Sequence, residues 1–426
     1  DLVRLHLFGD LDTGSKLEGV RLPSFVEMSK FSKKIACVNK HIIKENIGGA
    51  FDDFDGIDVD EDDDEDDAII KSDDWLGLMQ TDKNGRNLAS AYNLDLILEN
   101  DPIIGRAFAK NVFDQKQYVT RDMPWRQTKG VDQLRDVDLN GVRNHIDRTY
   151  NLSSNMKLED SLALAFQKNS FHPVKDYLNA LTWDKTKRVD TLLIDYFGVD
   201  DSPYHREAIR KVLVAGVARI FRPACKFDLV LTLVSNQGGG KSTFIKKLGG
   251  EWFSDSLTSM QGKEAFQQLQ GAWIIELAEL SAMRKSEVEN VKHFITKQSD
   301  SFRLPYGRVV ETFDRQCIFM GTTNRTEFLS DDTGNRRFMP IQVVPELATK
   351  SVFKMTPDDV AQIWAEAKIM FEDGEKLYLS DAAEKGANAS QRSHSEREES
   401  AGAIEEFLEI PISADWYDIP SDTKAM

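Results

Sequence analysis

The stretch FDLVLTLVSNQGGGKST, residues 227–243, predicts a buried strand, then a glycine-rich loop, then the first turn of a helix. Backbone N–H groups of such a loop, together with the positive end of the following helix, form a binding site for phosphate. The pattern is close to G-x-x-x-x-G-K-[ST], in which the lysine reaches the β- and γ-phosphates and the hydroxyl binds Mg²⁺. We therefore expect an α/β fold with a P-loop NTPase core, in which ATP is bound by Gln237, Gly238, Gly239, Gly240, Lys241, Ser242 and Thr243.

One residue departs from this pattern, because Ser235 stands where the first glycine is usual. If the backbone at this position requires a positive φ, a serine costs about 1–2 kcal/mol there. A chance match in a flexible linker is the alternative interpretation. The apolar residues that precede the loop are untypical of a linker, and they favour the phosphate-binding interpretation.

The acidity of the chain is concentrated outside its central part. Of the net charge of −17, −12 lies in residues 51–67 and −9 in residues 372–426, whereas residues 1–50 and residues 68–371 carry +2 each. Long acidic runs are typical of solvated, disordered segments. An acidic tail that mimics DNA and competes for a basic channel is an alternative. The overall charge therefore does not exclude a nucleic-acid partner.

The composition argues against several classes of protein. The chain has three cysteines, none in C-x-x-C spacing, which indicates neither a disulfide framework nor a cysteine zinc site. No apolar run approaches the roughly 18 residues of a membrane-spanning helix, and the first residues lack the apolar region of a signal peptide. We expect a soluble, cytoplasmic protein without a membrane partner.

Charge and periodicity divide the chain into six predicted segments. They are an unassigned segment 1–50, an acidic linker 51–74, a mainly helical domain 75–200, the ATPase core 201–345, a helical extension 346–380 and an acidic, partly disordered tail 381–426. Residues 204–221 predict an amphipathic helix that leads into the strand before the loop. Residues 357–371 predict a further helix that begins at Pro357.

A second apolar stretch ends in acidic residues. In AWIIELAEL, residues 272–280, the polar positions are Glu276 and Glu279. A carboxylate at the end of a buried strand can hold Mg²⁺ together with the Ser242 hydroxyl, and another can orient the attacking water. The alternative is an ordinary strand with a solvated glutamate. The sequence leaves open which glutamate binds the metal and which polarises water.

A third strand is predicted at residues 316–321, and it is followed by two threonines and an amide. We interpret Thr322 and Thr323 as turn formers. An amide at the tip of a strand beside the loop can hydrogen-bond the γ-phosphate and the attacking water. Asn324 is therefore the candidate γ-phosphate sensor.

A pair of arginines, Arg336 and Arg337, follows a glycine-containing turn. An arginine that completes the charge of the transition state raises the rate of phosphoryl transfer by about 10³–10⁵-fold. If a neighbouring subunit supplies it, hydrolysis depends on assembly of a ring. The alternative is a surface ion pair with nearby acids. Because consecutive arginines usually point apart, we expect at most one of them to act.

The motifs in this order resemble a known family. The run WIIELAELSAMRKSEVENVKHFITKQSDSFRLPYGR, followed by RQCIFMGTTNRTEFLSDDTGNRRFMPI, resembles the virulence-associated protein E family of phage and genomic-island replication proteins. The order of motifs is also similar to that of superfamily 3 helicases, over about residues 75–345. The resemblance implies an AAA+-related helicase, a homo-hexamer driven by ATP and Mg²⁺ on single-stranded or forked DNA in a bacterial host. It also implies a primase or another replication protein as a partner.

The helicase resemblance further implies a hairpin that points into the central pore, between the glutamate strand and the asparagine strand. In this chain the segment is 292–315, and Pro305 with Gly307 predicts a turn at its tip. Cations there would bind phosphates and a tyrosine would stack on a base. The candidate DNA contacts are Lys292, Lys297, Arg303, Tyr306 and Arg308. The alternative is that Arg303 and Arg308 brace the subunit interface near ATP.

Two other functions are compatible with a phosphate-binding loop. A small-molecule P-loop kinase would have a compact substrate pocket and be a monomer. A nucleotide-dependent assembly switch would bind DNA or proteins without unwinding. Asn324 and the arginine pair favour a ring motor over a kinase. The two glutamates favour hydrolysis, but they do not separate a motor from a switch.

Overall fold

A computed structural model describes residues 73–394 apart from 129, 258–259, 261, 279–284, 304–308 and 326–334. Segment 1–50, the acidic run 51–67, Glu279, Tyr306 and Arg308 lie outside the described residues. The described chain divides into two compact units, one of residues 73–110 and 117–171, the other of residues 111–116 and 172–394. The sequence predicted a boundary at 200/201 instead. No helix among the described residues combines the length and apolarity needed to span a bilayer.

The first unit is held together by one apolar cluster. Its elements are a 3₁₀ turn (Asp73–Leu78), α1 (Ala91–Asn100), α2 (Asp136–Tyr150), α3 (Asn155–Lys168) and most of a sheet in the order β1 (Phe108–Asn111), β2 (Lys116–Val119), β3 (Asp132–Gln133). Burial alone would raise the pKa of Asp101, but hydrogen bonds from Tyr150, His145 and two backbone N–H groups hold it below its ordinary value. Asp101 therefore joins the end of α1 to α2 as a charged group.

The second unit is built on a parallel five-stranded sheet, which agrees with the predicted α/β class. Its strand order is β10–β4–β9–β6–β5, and each neighbouring pair is parallel. The strands are β4 (Val230–Val234), β5 (Phe253–Ser254), β6 (Ile274–Leu277), β9 (Ile318–Thr323) and β10 (Phe338–Gln342). A separate antiparallel hairpin consists of β7 (Ser299–Phe302) and β8 (Glu311–Asp314).

Both faces of this sheet are buried, each in its own apolar cluster. Leu231 and Leu233 of β4 belong to one cluster, and Val230 and Val234 belong to the other. This alternation follows from the two-residue period of a strand, and two covered faces are the rule for parallel sheets. The helices of the unit are α4 (Pro173–Ala180), α5 (Leu192–Phe197), α6 (Pro203–Phe221), α7 (Lys241–Gly249), α8 (Gly262–Gln267), α9 (Lys285–Thr296), α10 (Pro357–Glu372) and α11 (Asp381–Ser393).

Helix α6 forms where the sequence predicted it, but it is not amphipathic in its setting. It begins after Ser202, whose hydroxyl accepts a hydrogen bond from the backbone N–H of His205. It contacts the sheet as well as α10 and α11, so its residues are buried on nearly every side. Two of its buried polar side chains have partners: the Lys211 ammonium bonds to Glu375, and the two terminal nitrogen atoms of Arg219 donate to backbone carbonyls.

Residues 381–393, expected within an acidic tail, form α11 and close one edge of the sheet. Gln391 donates to the carbonyl oxygen of Phe338 (2.8 Å), and Ser390 donates to that of Pro340 (2.8 Å). These two carbonyl groups belong to the edge strand β10 and point away from the sheet. Pro340 has no backbone N–H, so it leaves no unpaired donor at this edge. The side chains of α11 therefore replace the missing neighbouring strand.

Candidate functional site

The glycine-rich loop connects the end of β4 to the start of α7. Gly238 (φ 88°) and Gly240 (φ 76°) have left-handed backbone conformations, which residues with a side chain rarely adopt. A Cβ atom added to Gly239 would lie 2.8 Å from the Ser235 hydroxyl oxygen, so this position too requires glycine unless that hydroxyl moves. The three glycines thus allow the chain to turn tightly and begin α7 at Lys241.

Ser235 is accommodated without the strain that a positive φ would bring. Its backbone lies outside the left-handed region, so the condition for the expected penalty is not met. Its hydroxyl donates to the carbonyl oxygen of Asn236 (3.0 Å) and accepts a hydrogen bond from the Lys241 ammonium (3.0 Å). Serine therefore adds a contact where glycine would offer none.

The ammonium group of Lys241 is buried among oxygen atoms. It also donates to the carbonyl oxygens of Ser235 (2.7 Å) and Asn236 (3.0 Å), and to Oδ1 of Asn324 (3.2 Å). Burial lowers the pKa of Lys241, and the carboxylate of Glu276 partly offsets this effect. The last contact joins the loop directly to the end of β9.

Glu276 lies at the end of β6 with its side chain only 4% exposed. Its Oε1 atom accepts hydrogen bonds from the hydroxyl groups of Ser242 (2.6 Å) and Thr322 (2.7 Å). Strand β9 lies between β4 and β6, and Thr322 bridges that gap. The interpretation of Thr322 and Thr323 as turn formers is wrong, since both are buried residues of β9. A polar residue within an apolar strand was the signal that could have identified Thr322.

The donor set beside the loop has the chemistry of a magnesium site. The hydroxyl of Ser242 and the carboxylate of Glu276 are oxygen ligands of the kind that Mg²⁺ prefers, with phosphate oxygens and waters completing the shell. Among the described residues no group of three or more His, Cys, Asp or Glu side chains could hold a metal ion. Ser242 and Glu276 could therefore hold such an ion only together with ligands from outside these side chains.

A cleft of about 600 Å³ unites these groups. It lies at the carboxyl ends of β4, β6 and β9, the edge at which open parallel sheets bind ligands. Its lining consists of the loop residues 237–243, Ala278, Thr322, Thr323, Asn324, Arg325 and Phe353. Sequence reasoning did not single out Arg325 or Phe353, because nothing in their local sequence marks them.

The paired arginines lie at the amino ends of the strands, whereas the cleft lies at their carboxyl ends. They form a 3₁₀ turn, Asn335–Arg337, immediately before β10, whose first residue pairs with the first residue of β4. With about 3.3 Å per residue, five-residue strands put their amino ends roughly 15 Å from the cleft. Arg336 is exposed, whereas Arg337 donates to Thr296 (3.1 Å) and lies 3.8 Å from Asp228.

The hairpin β7–β8 holds only part of the predicted DNA-contacting set. Lys292 is buried (3% exposed) on α9, so its ammonium is not presented to a phosphate, and the Lys297 ammonium lies 4.6 Å from the centre of the Phe266 ring. Arg303, at the end of β7, is exposed. Arg315 is buried in a two-point ion pair with Asp300 and anchors the base of the hairpin.

Comparison with known protein families identifies the family to which the chain belongs. A sequence profile of the virulence-associated protein E-like domain matches residues 178–396, just over half of the chain. The chain belongs to the virulence-associated protein E-like family. In this virulence-associated protein E-like chain the matched range contains the loop, Glu276, Asn324 and both arginines. The resemblance seen in the sequence covered about residues 75–345. The matched range begins later than that and continues through α11.

Solved structures of the NrS-1 C-terminal region in its apo form are distantly similar to this chain. One has 14% sequence identity and a TM-score of 0.42, with 79% of this chain and 85% of that chain covered. Another has 16% identity and a TM-score of 0.37, with 71% and 72% covered. No curated protein sequence is significantly similar to the chain. Membership of the family therefore rests on the profile match.

Proposed function

We propose that the second unit is a P-loop NTPase core of the AAA+ and superfamily 3 helicase type, which binds and hydrolyses ATP. The observation that carries this proposal is that Lys241 and Ser242 line one cleft, with the buried Glu276 carboxylate hydrogen-bonded to the Ser242 hydroxyl. A chance glycine-rich loop would have no reason to meet a buried carboxylate from a strand two positions away in the sheet. The combination supports phosphate binding with hydrolysis.

Each residue has a distinct part in the proposed reaction. The loop N–H groups and the Lys241 ammonium bind phosphate oxygens, and Ser242 with Glu276 holds Mg²⁺. Bound Mg²⁺ would neutralise the charge that develops on the transferred phosphoryl group. Asn324, exposed in the cleft and within hydrogen-bond distance of Lys241, orients the γ-phosphate and the attacking water. Glu279 remains the second candidate carboxylate.

The arginine is proposed to come from a neighbouring subunit. Arg336 lies immediately before β10, at the amino ends of the strands, and the cleft lies at their carboxyl ends. It therefore cannot serve the cleft of its own chain. Its exposure leaves it free to enter the cleft of the next subunit in a ring, whereas Arg337 is engaged by Thr296. A head-to-tail ring, proposed to be a homo-hexamer, would close such contacts. Of the pair, we assign Arg336 as the finger.

The motor is proposed to act on single-stranded or forked DNA in the replication of a phage or mobile element. Family membership and the hairpin β7–β8 support this step. Arg303 is the exposed cation at the hairpin, and Tyr306 and Arg308 stay predictions for its tip. Lys292 and Arg315 are better explained as structural residues. A primase or another replication protein as a partner is part of the same proposal.

Replacement of Lys241 tests the nucleotide site. We expect Lys241→Ala to abolish ATP turnover, because the loop loses the only side-chain cation that it directs at phosphate, while the thermal unfolding midpoint stays close to that of the wild type. Lys246→Ala, an exposed lysine of the same helix, is the matched control and should retain turnover. Full ATPase activity in Lys241→Ala would contradict the assignment of the nucleotide site.

A strand-displacement assay on forked DNA with ATP and Mg²⁺ separates a motor from a switch. Displacement that is lost in Lys241→Ala supports the motor. ATPase activity that single strands stimulate, without displacement in either polarity, would instead favour a nucleotide-dependent assembly switch. The same wild-type and variant proteins serve both measurements.

A further inference from the structure

A second cleft, of about 590 Å³, adjoins the first and shares Gly238, Gly239 and Phe353 with it. Its other walls are Tyr196 of α5, Asp359 of α10 and residues of the segment 345–354. The proposed hydrolysis uses none of these other residues. A ligand with phosphates at the glycine-rich loop therefore has a neighbouring cleft with aromatic walls into which its remaining part can extend.

Phe353 is held firmly on its backbone while its ring stays open to solvent. It follows the buried Val352 in the 3₁₀ turn Val352–Lys354. The Lys247 ammonium of α7 donates to the carbonyl oxygens of Phe353 (2.9 Å) and Met355 (2.7 Å). Helix α7 also carries the phosphate-binding Lys241, so the position of the ring is set relative to the phosphate site.

The ring of Phe353 lies directly beside the loop. A Cβ atom added to Gly240 would come within 3.7 Å of its Cζ atom, and yet the residue is 65% exposed. A large apolar surface in water is costly unless a ligand or a partner covers it. A flat ring beside a phosphate site is suited to cover by the base of a nucleotide, because every base has a face that can stack.

Two charged groups of this cleft, Lys350 and Asp359, already have partners within the chain. The Lys350 ammonium bonds to Asp195 (2.9 Å) and lies 5.7 Å from the centre of the Tyr196 ring. Asp359 accepts hydrogen bonds from the backbone N–H and the hydroxyl of Thr356. The cleft therefore offers a ligand the face of the Phe353 ring, with the exposed Lys354 next to it in the chain.

We propose that this second cleft binds the base and ribose of the nucleotide, with the base stacked on Phe353, an inference that rests on the nucleotide binding proposed above. Stacking strength grows with ring area, so the site prefers purine over pyrimidine triphosphates. Stacking does not read the hydrogen-bonding edge of a base, so ATP and GTP bind with similar affinity. The ligand class is accordingly a purine nucleoside triphosphate.

Equilibrium binding to Phe353→Ala, with ATP, GTP, CTP and inorganic tripolyphosphate as probes, tests the proposal. We expect ATP and GTP to bind about fivefold or more weakly than to the wild type, while tripolyphosphate affinity is unchanged within about twofold. Phe353→Trp should restore purine binding. Leu347→Ala replaces an exposed apolar side chain of the same segment outside the cleft lining, and it should leave all four affinities unchanged.

The outcomes distinguish this proposal from the one on which it rests. A wild-type protein that binds neither ATP nor tripolyphosphate overturns the nucleotide site and with it the base site. Wild-type binding of both, with ATP affinity unchanged in Phe353→Ala, overturns only the base site. An equal loss of tripolyphosphate affinity in Phe353→Ala would also overturn it, because the ring would then be shaping the loop.

Discussion

Ser235 and Lys241 form the closest polar contacts within the glycine-rich loop. The serine hydroxyl and two backbone carbonyls accept hydrogen bonds from the Lys241 ammonium, so its burial is compensated by oxygen atoms at 2.7–3.0 Å. A phosphate oxygen at the loop would compete with these acceptors for the same donor. Ser235, at the first position of the motif, can thus change how strongly the loop holds the Lys241 ammonium away from a phosphate oxygen.

Ser235→Ala should therefore tighten ATP binding by about two- to tenfold, because it removes one of the acceptors that compete for a charged donor. Alanine is preferred to glycine for this test, since it leaves the freedom of the backbone nearly unchanged. Calorimetric titration with ATP measures the effect, and Ser256→Ala, an exposed serine outside the cleft lining, is the control. Weaker binding would show that the hydroxyl supports the loop in its binding conformation instead.

At the scale of elements, β9 is the strand that assembles the site. It separates β4 from β6, and its end supplies Thr322 to Glu276 and Asn324 to Lys241. Glu276 of β6 already accepts a hydrogen bond from Ser242, and Thr322 of the strand between them adds a second one to the same oxygen atom. On the far side of the sheet, α11 supplies the polar groups that close the edge strand β10.

Gly386 permits α11 to approach α6. A Cβ atom at this position would lie 2.7 Å from Cβ of Tyr204, whose hydroxyl donates to the carbonyl oxygen of Pro340. Alanine normally stabilises a helix interior by about 1 kcal/mol relative to glycine, whereas a forced contact in a packed interface costs about 1–3 kcal/mol. We expect Gly386→Ala to lower the free energy of unfolding, measured from the urea midpoint.

Asn388→Ala provides the matched control in the same helix. Asn388 is exposed, so alanine there should raise the free energy of unfolding by a few tenths of a kcal/mol through helix propensity alone. Opposite signs for the two substitutions are the expected result. A stabilising Gly386→Ala would contradict the close packing of α11 against α6.

At the scale of the whole molecule, the cleft lies at the carboxyl ends of the strands of one sheet and Arg336 lies at their amino ends. Within a single chain the proposed phosphate site and the exposed arginine therefore cannot meet. This separation favours a function that depends on assembly, in which each subunit completes the site of its neighbour. It also distinguishes the proposed ring motor from a monomeric kinase.

Mixing two inactive variants tests this dependence. Arg336→Ala retains an intact cleft, and Glu276→Gln retains the arginine. By random assortment about one quarter of the contacts in an equimolar ring combine both intact parts, so partial ATPase activity should return. A mixture of Lys241→Ala with Glu276→Gln, both defective in the cleft, should stay inactive. Mass measurement in solution with ATP and single-stranded DNA establishes that mixed rings have formed.

Absence of recovery with Arg336→Ala and with Arg337→Ala, in confirmed mixed rings, would count against an arginine supplied in trans. Recovery with Arg337→Ala alone would reverse the assignment within the pair. The present assignment follows from the hydrogen bond of Arg337 to Thr296, which ties that side chain to α9 of its own chain.

The sequence by itself determined the local elements and the kind of residue that each presents. The strand, loop and helix of residues 227–243, the glutamate of β6 and the amide after β9 were readable, because apolar periodicity and glycine act over a few residues. The α/β class of the fold followed from the same patterns. Local conformation depends mainly on neighbours in the chain, so these features needed no tertiary information.

Only the tertiary structure decided which of those residues meet and which are buried. The Thr322–Glu276 bond joins residues 46 positions apart, and the Gln391–Phe338 bond that stabilises α11 spans 53 positions. Lys292 was predicted to contact DNA, yet it is buried, and Arg315 of the same segment is buried in its pair with Asp300. Burial of a charge depends on partners brought from elsewhere in the chain, and no local pattern specifies those partners.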